Sequence, residues 1–189
     1  EDFGWPMGPA YLQDVVGIDT SHHVSDVLAE GYPDRMAKTY RTVIDVMYDE
    51  KRYGQKNSVG FYRYELDPKG KPKKTPDAKS AELIASVQPH GSKAFSAEEV
   101  IERLMLPMIL ETVRCLDEKI VESPTEADMG LVMGIGFPPH LGGALKYADQ
   151  LGLQNVLAQC EKYAALGKLY EPTASMRAMA AAGQRYFPL

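Results

Sequence analysis

Four histidines, two cysteines and two similarly placed aspartates are the residues of this sequence whose types could do chemistry. His22 and His23 fall at an expected helix start, His90 in a Lys/Pro-rich stretch and His140 in a Gly/Pro corner. Imidazoles so scattered make a poor metal set. No Cys-x-x-Cys, His-Glu-x-x-His or carboxylate pair with ligand spacing accompanies them. Cys115 and Cys160 each sit among apolar neighbours in a helical pattern, which favours reduced core thiols over a disulfide framework. No Ser, Cys or His stands in a recognisable nucleophile setting, and a phosphate-loop pattern is absent. The "GIG" of residues 134–136 follows a helix rather than a strand, so it reads as a helix end and not as a dinucleotide fingerprint. Asp14 and Asp149 each precede a glycine by three residues. They are read as hydrogen-bonding residues that fix the following helix junction, not as acids.

The elements that would position these groups are helical. With 189 residues, 44% hydrophobic and 25% charged, the chain can bury one core or two small ones sharing an interface. No apolar run approaches the ~20 residues that cross a bilayer. The net charge of −5 argues against nucleic acid and anionic lipid as general partners, although a local basic patch can still hold an anion. A cytoplasmic protein fits these features. A short helix is expected from Pro9 to Val16, ended by Gly17, and a second to about Glu30, with Val24, Val27 and Leu28 as its apolar face. From Asp34 onward Met36, Tyr40, Val43, Ile44, Met47 and Tyr48 recur at helical spacing. "QKNSVGFYRYE" reads as a turn into a short extended arm. "ELDPKGKPKKTPDAKS" is nearly free of apolar side chains and reads as a solvated tether, with a weak short helix near Ala81 to Val87.

In the second half Ser96 and Glu99 form a capping box ahead of an apolar stripe running from Val100 to Ile120. Pro107 lies inside this helix, at a cost of roughly 3 kcal/mol unless a kink is packed for. Ser123 caps the next helix and Gly134 stops it. Three short helices follow, near Leu141 to Leu151, Gln154 to Leu166 and Ala174 to Ala182. No segment demands a sheet, so the fold class is all-α.

The chain also repeats itself. "GWP…GPAYLQDVVG" from Gly4 and "GFP…GGALKYADQLG" from Gly136 share a Gly-aromatic-Pro corner and an Asp-x-x-Gly helix end, separated by 132 residues at the first glycine and 135 at the aspartate. Two helical units of like topology, packed as a pseudo-symmetric pair, are implied. Their expected bounds are 1–64 and 95–189, with residues 65–94 as the Lys/Pro-rich linker. Only the second corner is preceded by a long helix and a capped helix. The first unit is therefore expected to leave an apolar groove uncovered, which self-association would fill. The chain begins at Glu1, without Met and inside a turn-rich motif, and reads as a piece of something longer.

"FGWPMGPAYLQDVVGID", "YGQKNSVGFYRY" and "PMILETVRCLDEKIVESPTEADMGLVMGIGFPPHLGGALKYAD" together resemble the C-terminal helical region of the alpha subunits of bacterial fatty acid oxidation complexes. These are fusions of an enoyl-CoA hydratase/isomerase with an NAD-dependent 3-hydroxyacyl-CoA dehydrogenase, lyase and oxidoreductase in one lipid-metabolising chain. The resemblance implies two tandem copies of the dehydrogenase C-terminal domain. It places the catalytic His-Glu pair and the NAD-binding glycines on a Rossmann domain before Glu1, so no catalytic, cofactor or metal residue is expected here. An Asn-Arg pair on the first copy's long helix also lies upstream, and the second copy carries Glu102-Arg103 instead. Where relatives often carry a substrate-contacting tyrosine, this sequence has Met133, which would either line an acyl channel by apolar contact or serve ordinary helix packing. The implied partners are an acyl-CoA substrate and a thiolase beta subunit. Two roles follow, a wall of the hydroxyacyl-CoA cleft or a scaffold that docks the hydratase part and the thiolase.

Overall fold

The computed structural model describes residues 1–188. They form two compact units, one of Met7–Ala94 and one running from Phe95 onward together with Glu1–Pro6. Nine α-helices and a single two-stranded hairpin make up the regular structure among the described residues, so the all-α expectation holds with the hairpin as its exception.

In Met7–Ala94, α1 (Pro9–Val16) and α2 (Ile18–Gly31) meet at Gly17, which ends one helix and begins the other. The third helix, α3 (Val43–Asp49), is shorter than its apolar spacing predicts. Thr42 and Asp45 form a reciprocal capping box there, the hydroxyl accepting from the Asp45 N–H and the carboxylate from the Thr42 N–H. The cap fixes the start, so residues 34–42 are not α-helical and Tyr40 stays 75% exposed. The expected linker is folded. β1 (Tyr62–Leu66) pairs antiparallel with β2 (Pro72–Pro76), Tyr64 opposite Lys74. Asp67-Pro68-Lys69-Gly70 closes the hairpin, with the Asp67 carboxylate accepting the N–H groups of Lys69 and Lys71, both at 2.8 Å, and Gly70 at φ +74. Then α4 (Ala78–Ser86) buries Leu83 in a small core with Ile18, Val46 and Met47. Arg52, itself buried, ties this part together through Asp77 (2.5 Å), Ser80 Oγ (2.8 Å) and the Gly60 carbonyl (2.7 Å). By contrast the expected apolar face of α2 is not buried: Val24, Val27 and Leu28 all remain exposed.

The other unit is built on α5 (Ala97–Asp117), started by Ser96 Oγ accepting from the Glu99 N–H at 3.0 Å. Met105, Leu106, Ile109, Leu110 and Val113 recur at spacings of one, three and four residues, which puts them on one stripe. They share a core with Ala127 of α6 (Pro124–Ile135), Leu145 and Ala148 of α7 (Ala144–Leu151), Val156 and Cys160 of α8 (Leu153–Tyr163), and Met176 of α9 (Ala174–Ala181). Helix α6 does not stop at Gly134. It runs on to Gly136, whose φ of +71 supplies the left-handed residue that ends it. The two Gly-aromatic-Pro corners meet within this unit, Trp5 lying edge-on to Phe137 with centroids 5.5 Å apart.

Pro107 sits inside α5. Lacking an N–H, it leaves the carbonyl four residues earlier, that of Arg103, without its helical donor. Tyr170, nine-tenths buried, fills the gap by donating its hydroxyl to that carbonyl at 3.0 Å. Tyr170→Phe is therefore expected to cost about 1–3 kcal/mol, the penalty of one orphaned buried acceptor. In a Pro107→Ala background the restored N–H takes over the carbonyl, so the same substitution should cost clearly less. Urea denaturation of the four proteins of this cycle measures the coupling.

Candidate functional site

The two aspartates singled out by the repeat are buried in equivalent positions, 1% and 5% exposed. Asp14 lies near the end of α1 and Asp149 near the end of α7, each three residues before the glycine that joins two helices. Asp14 accepts the backbone N–H groups of Phe61 (2.8 Å) and Tyr62 (2.9 Å), and the Tyr64 hydroxyl at 2.7 Å. Asp149 accepts those of Tyr186 (3.0 Å) and Phe187 (2.8 Å). Each carboxylate thus clamps two consecutive amides of an aromatic pair that returns from much later in the chain. This differs from the expected bond to the adjacent helix junction. Gly60 is what lets the first returning strand come so close, because a Cβ there would overlap the Asp14 carboxylate. Burial, then the Asp14 charge, push the Tyr64 hydroxyl above its ordinary range, so it remains a donor. With every oxygen so engaged, the aspartates are structural acceptors and not acid-base groups.

Met133 lies on the outward face of α6, 78% exposed, with Met129 one turn before it at 51%. Leu104 and Val100, one turn apart on α5, are exposed as well. Met129 and Met133 present a soft apolar surface with no hydrogen-bonding group at the Met133 position. Helix packing does not explain it. The Glu102-Arg103 pair does other work: Glu102 accepts from Lys162 Nζ at 2.7 Å and from the Tyr163 hydroxyl, tying α5 to α8. Lys162 and then Tyr163 hold its carboxyl below the usual range. Arg103 lies 5.1 Å over the Phe95 ring.

The histidines do not converge. His22 stacks on Tyr48 at 4.1 Å and is flanked by Asp45 (3.0 Å) and Asp26 (3.7 Å), while Lys38 bridges both carboxylates. His140 lies against the Gly4 corner, and His90 is exposed in the connection after α4. Neither Cys115 nor Cys160 is in a disulfide. Burial pushes the Cys160 thiol up to about 11, which leaves it protonated and unreactive near neutrality. Asp128, buried in α6, accepts the N–H groups of Leu145 (2.8 Å) and Lys146 (2.9 Å) and so caps the first turn of α7 from another helix. The repeat did not single it out.

The glycines of residues 134–136 do not fit a dinucleotide site. Pyrophosphate is held at a helix N-terminus, where amide groups and the dipole are positive. Gly134 to Gly136 lie at the C-terminal end of α6, where carbonyls face out. Because Asp14 holds three donors and Asp149 two, Asp14→Ala is expected to destabilise more than Asp149→Ala. Each should cost about 3 kcal/mol or more in urea unfolding, since charged acceptors contribute about 1.5–3 kcal/mol per bond.

Residues 1–64 match the model of the "3-hydroxyacyl-CoA dehydrogenase, C-terminal domain". Over 187 residues, 99% of the chain, it is 54% identical to the fatty acid oxidation complex subunit alpha of Psychrobacter arcticus and of Pseudomonas aeruginosa LESB58. It is 55% identical to that of Pseudomonas syringae pv. syringae. The chain spans 26% of the length of each of these curated relatives. Among solved structures, the dehydrogenase part of multifunctional enzyme 1 from C. elegans superposes with a TM-score of 0.65 at 23% identity, covering 94% of this chain and 39% of that one. The 3-hydroxybutyryl-CoA dehydrogenase from Escherichia coli K12 gives 0.67 at 17% identity, covering 95% and 52%. At those identities it is the fold that is shared. Over nearly all of its length the chain is similar to the fatty acid oxidation complex alpha subunits, and its first 64 residues match the 3-hydroxyacyl-CoA dehydrogenase C-terminal domain.

Proposed function

We propose that this chain is the helical substrate-cleft and assembly region of a multifunctional fatty acid β-oxidation enzyme, an NAD-dependent 3-hydroxyacyl-CoA dehydrogenase joined to an enoyl-CoA hydratase/isomerase. The observation that carries the reading is the 54% identity to alpha subunits along 99% of the chain. In this reading the two halves are tandem copies of the dehydrogenase C-terminal domain, the site of hydride transfer and the bound NAD lie on a domain outside these residues, and the enzyme is cytoplasmic. The chain contributes shape. Met133, with Met129, presents thioether surface to an acyl chain. Burial of that surface stabilises the bound chain by about 25 cal/mol per Å² and keeps water from it. A single charge there should be felt. In the full-length alpha subunit, Met133→Asp is expected to raise KM for a long-chain 3-hydroxyacyl-CoA by about tenfold, one to two kcal/mol of lost apolar contact, while leaving a C4 substrate nearly unaffected. Steady-state kinetics on both substrates checks this. Titration calorimetry of the isolated chain with acetoacetyl-CoA checks whether the wall binds alone.

A second reading, assembly scaffold, is favoured by a different observation. In the unit from Phe95 onward α5 shares a core with α7 and α8, yet the corresponding helices α1 and α2 leave Leu12, Val15, Val16, Val24, Val27 and Leu28 exposed. An apolar strip of this kind takes a covering helix, a partner such as a thiolase beta subunit, or a second copy. The isolated chain is therefore expected to self-associate as its concentration rises, and Val27→Asp to abolish this without unfolding it. Sedimentation velocity over a concentration series reads the outcome.

A further inference from the structure

The lysine-rich segment that the sequence presents as a tether is a built arm. Tyr64 at the base of β1 donates to Asp14, and Asp77 just after β2 is held by Arg52 and Arg63. The turn is fixed by the two N–H bonds to Asp67. Ordering this hairpin therefore costs nothing further on binding. It carries an unusual charge. Residues 69–74 hold four lysines and no acid, so that the rest of a chain of net charge −5 carries −9. Two of the nearby carboxylates are already engaged, Asp67 by the turn and Asp77 by the arginines. Lys74 is engaged too, 4.2 Å above the Tyr11 ring and 5.1 Å above that of Tyr62. Lys69, Lys71 and Lys73 are exposed and make no ion pair among the described residues, with Glu65 opposite Lys73 in register.

Lysine and proline on an edge strand also keep foreign strands away. Lys73, Pro72 and Pro76 meet that need, and it does not call for Lys69 and Lys71 at the turn. A small anion is a poor match, because small-ligand sites are concave and the lysines stand on the exposed outer part of a two-stranded ribbon. Leu66, 74% exposed and paired in register with Pro72, adds an apolar point beside the cations. A basic strip with one aliphatic anchor is the complement of an acidic protein surface that offers a small apolar site. We propose that the hairpin from Tyr62 to Pro76 is a docking arm for a partner protein presenting clustered carboxylates. The proposal rests on the reading above, in which the chain is part of a subunit of a complex, and it names the arm's partner there as the other subunit.

The test uses the full-length alpha subunit and the partner subunit that purifies with it, with affinity measured at low and at near-molar salt. Charge reversal at Lys69→Glu, Lys71→Glu and Lys73→Glu together is expected to weaken binding about tenfold or more at low salt and to flatten its salt dependence. Leu66→Ser should weaken it at every salt concentration, and the triple Lys→Arg variant should bind like the parent. Unchanged affinity and salt slope in the charge-reversal protein overturn the proposal. So does loss of binding to phosphatidylglycerol vesicles with partner affinity intact, which would make the arm a membrane contact. Dehydrogenase turnover of acetoacetyl-CoA by the unmodified protein is measured alongside: its absence sinks the enzyme reading, whereas its presence in a charge-reversed protein that still binds sinks only the arm.

Discussion

A buried carboxylate accepting two consecutive backbone N–H groups is the interaction on which both halves of this chain depend. Asp14 and Asp149 each reach from the end of a short helix to an aromatic pair that arrives from the far end of the same half. The arrangement answers a specific problem. Short helices of eight residues have little stability of their own and need tertiary partners to persist. A returning segment outside any helix has amides that must be satisfied if it is to be buried. One aspartate meets both needs, since the amides neutralise its desolvation cost and it in turn fixes where the segment lies. Asp128 repeats the device between α6 and α7, aimed at a helix start rather than at a returning segment. Its oxygens feel burial first, which raises the carboxyl from its ordinary range against the opposing pull of the N–H bonds.

The halves differ in what surrounds that device. From Phe95 onward, α5 lays a continuous apolar stripe against α7 and α8, and tolerates Pro107 because Tyr170 supplies the missing donor. In Met7–Ala94 the equivalent helices keep an apolar strip exposed, and the core is four residues with α4 as its lid. The buried Arg52 stands where a larger unit would use more hydrophobic contact. Its ion pair with Asp77 holds that carboxyl below the usual range, and it is satisfied on all sides by Ser80 and the Gly60 carbonyl. The exposed methionines of α6, the apolar strip of α1 and α2 and the basic hairpin are the surfaces that the proposals above assign to other molecules.

Much of this was legible in the residues. The caps at Ser96 and Ser123, the helix ends at Gly17 and Gly152, and the matched Asp14 and Asp149 are local signals that need no knowledge of tertiary structure. What failed was set by distant contacts. The aspartates' partners lie 47 and 37 residues on, beyond any spacing rule. The helix expected from Asp34 begins only at Val43, because the Thr42–Asp45 box outweighs the apolar recurrence before it. The hairpin's Lys/Pro-rich composition reads as a tether, although Asp-Pro-Lys-Gly between two runs is itself a turn signal. Ser80 of α4 is buried by the Arg52 network and Leu83 by Ile18, Val46 and Met47, which no local pattern announces.

On the proposed reading, this region shapes a cleft and holds an assembly while the reacting groups sit on a domain outside these residues. The most direct measurement is photo-crosslinking in the full-length protein, using a long-chain 3-hydroxyacyl-CoA with a diazirine near its methyl end and mapping adducts by peptide mass spectrometry. The account predicts adducts on the α6 peptide that carries Met129 and Met133, competed away by unlabelled substrate. Adducts confined to residues outside this chain would contradict it.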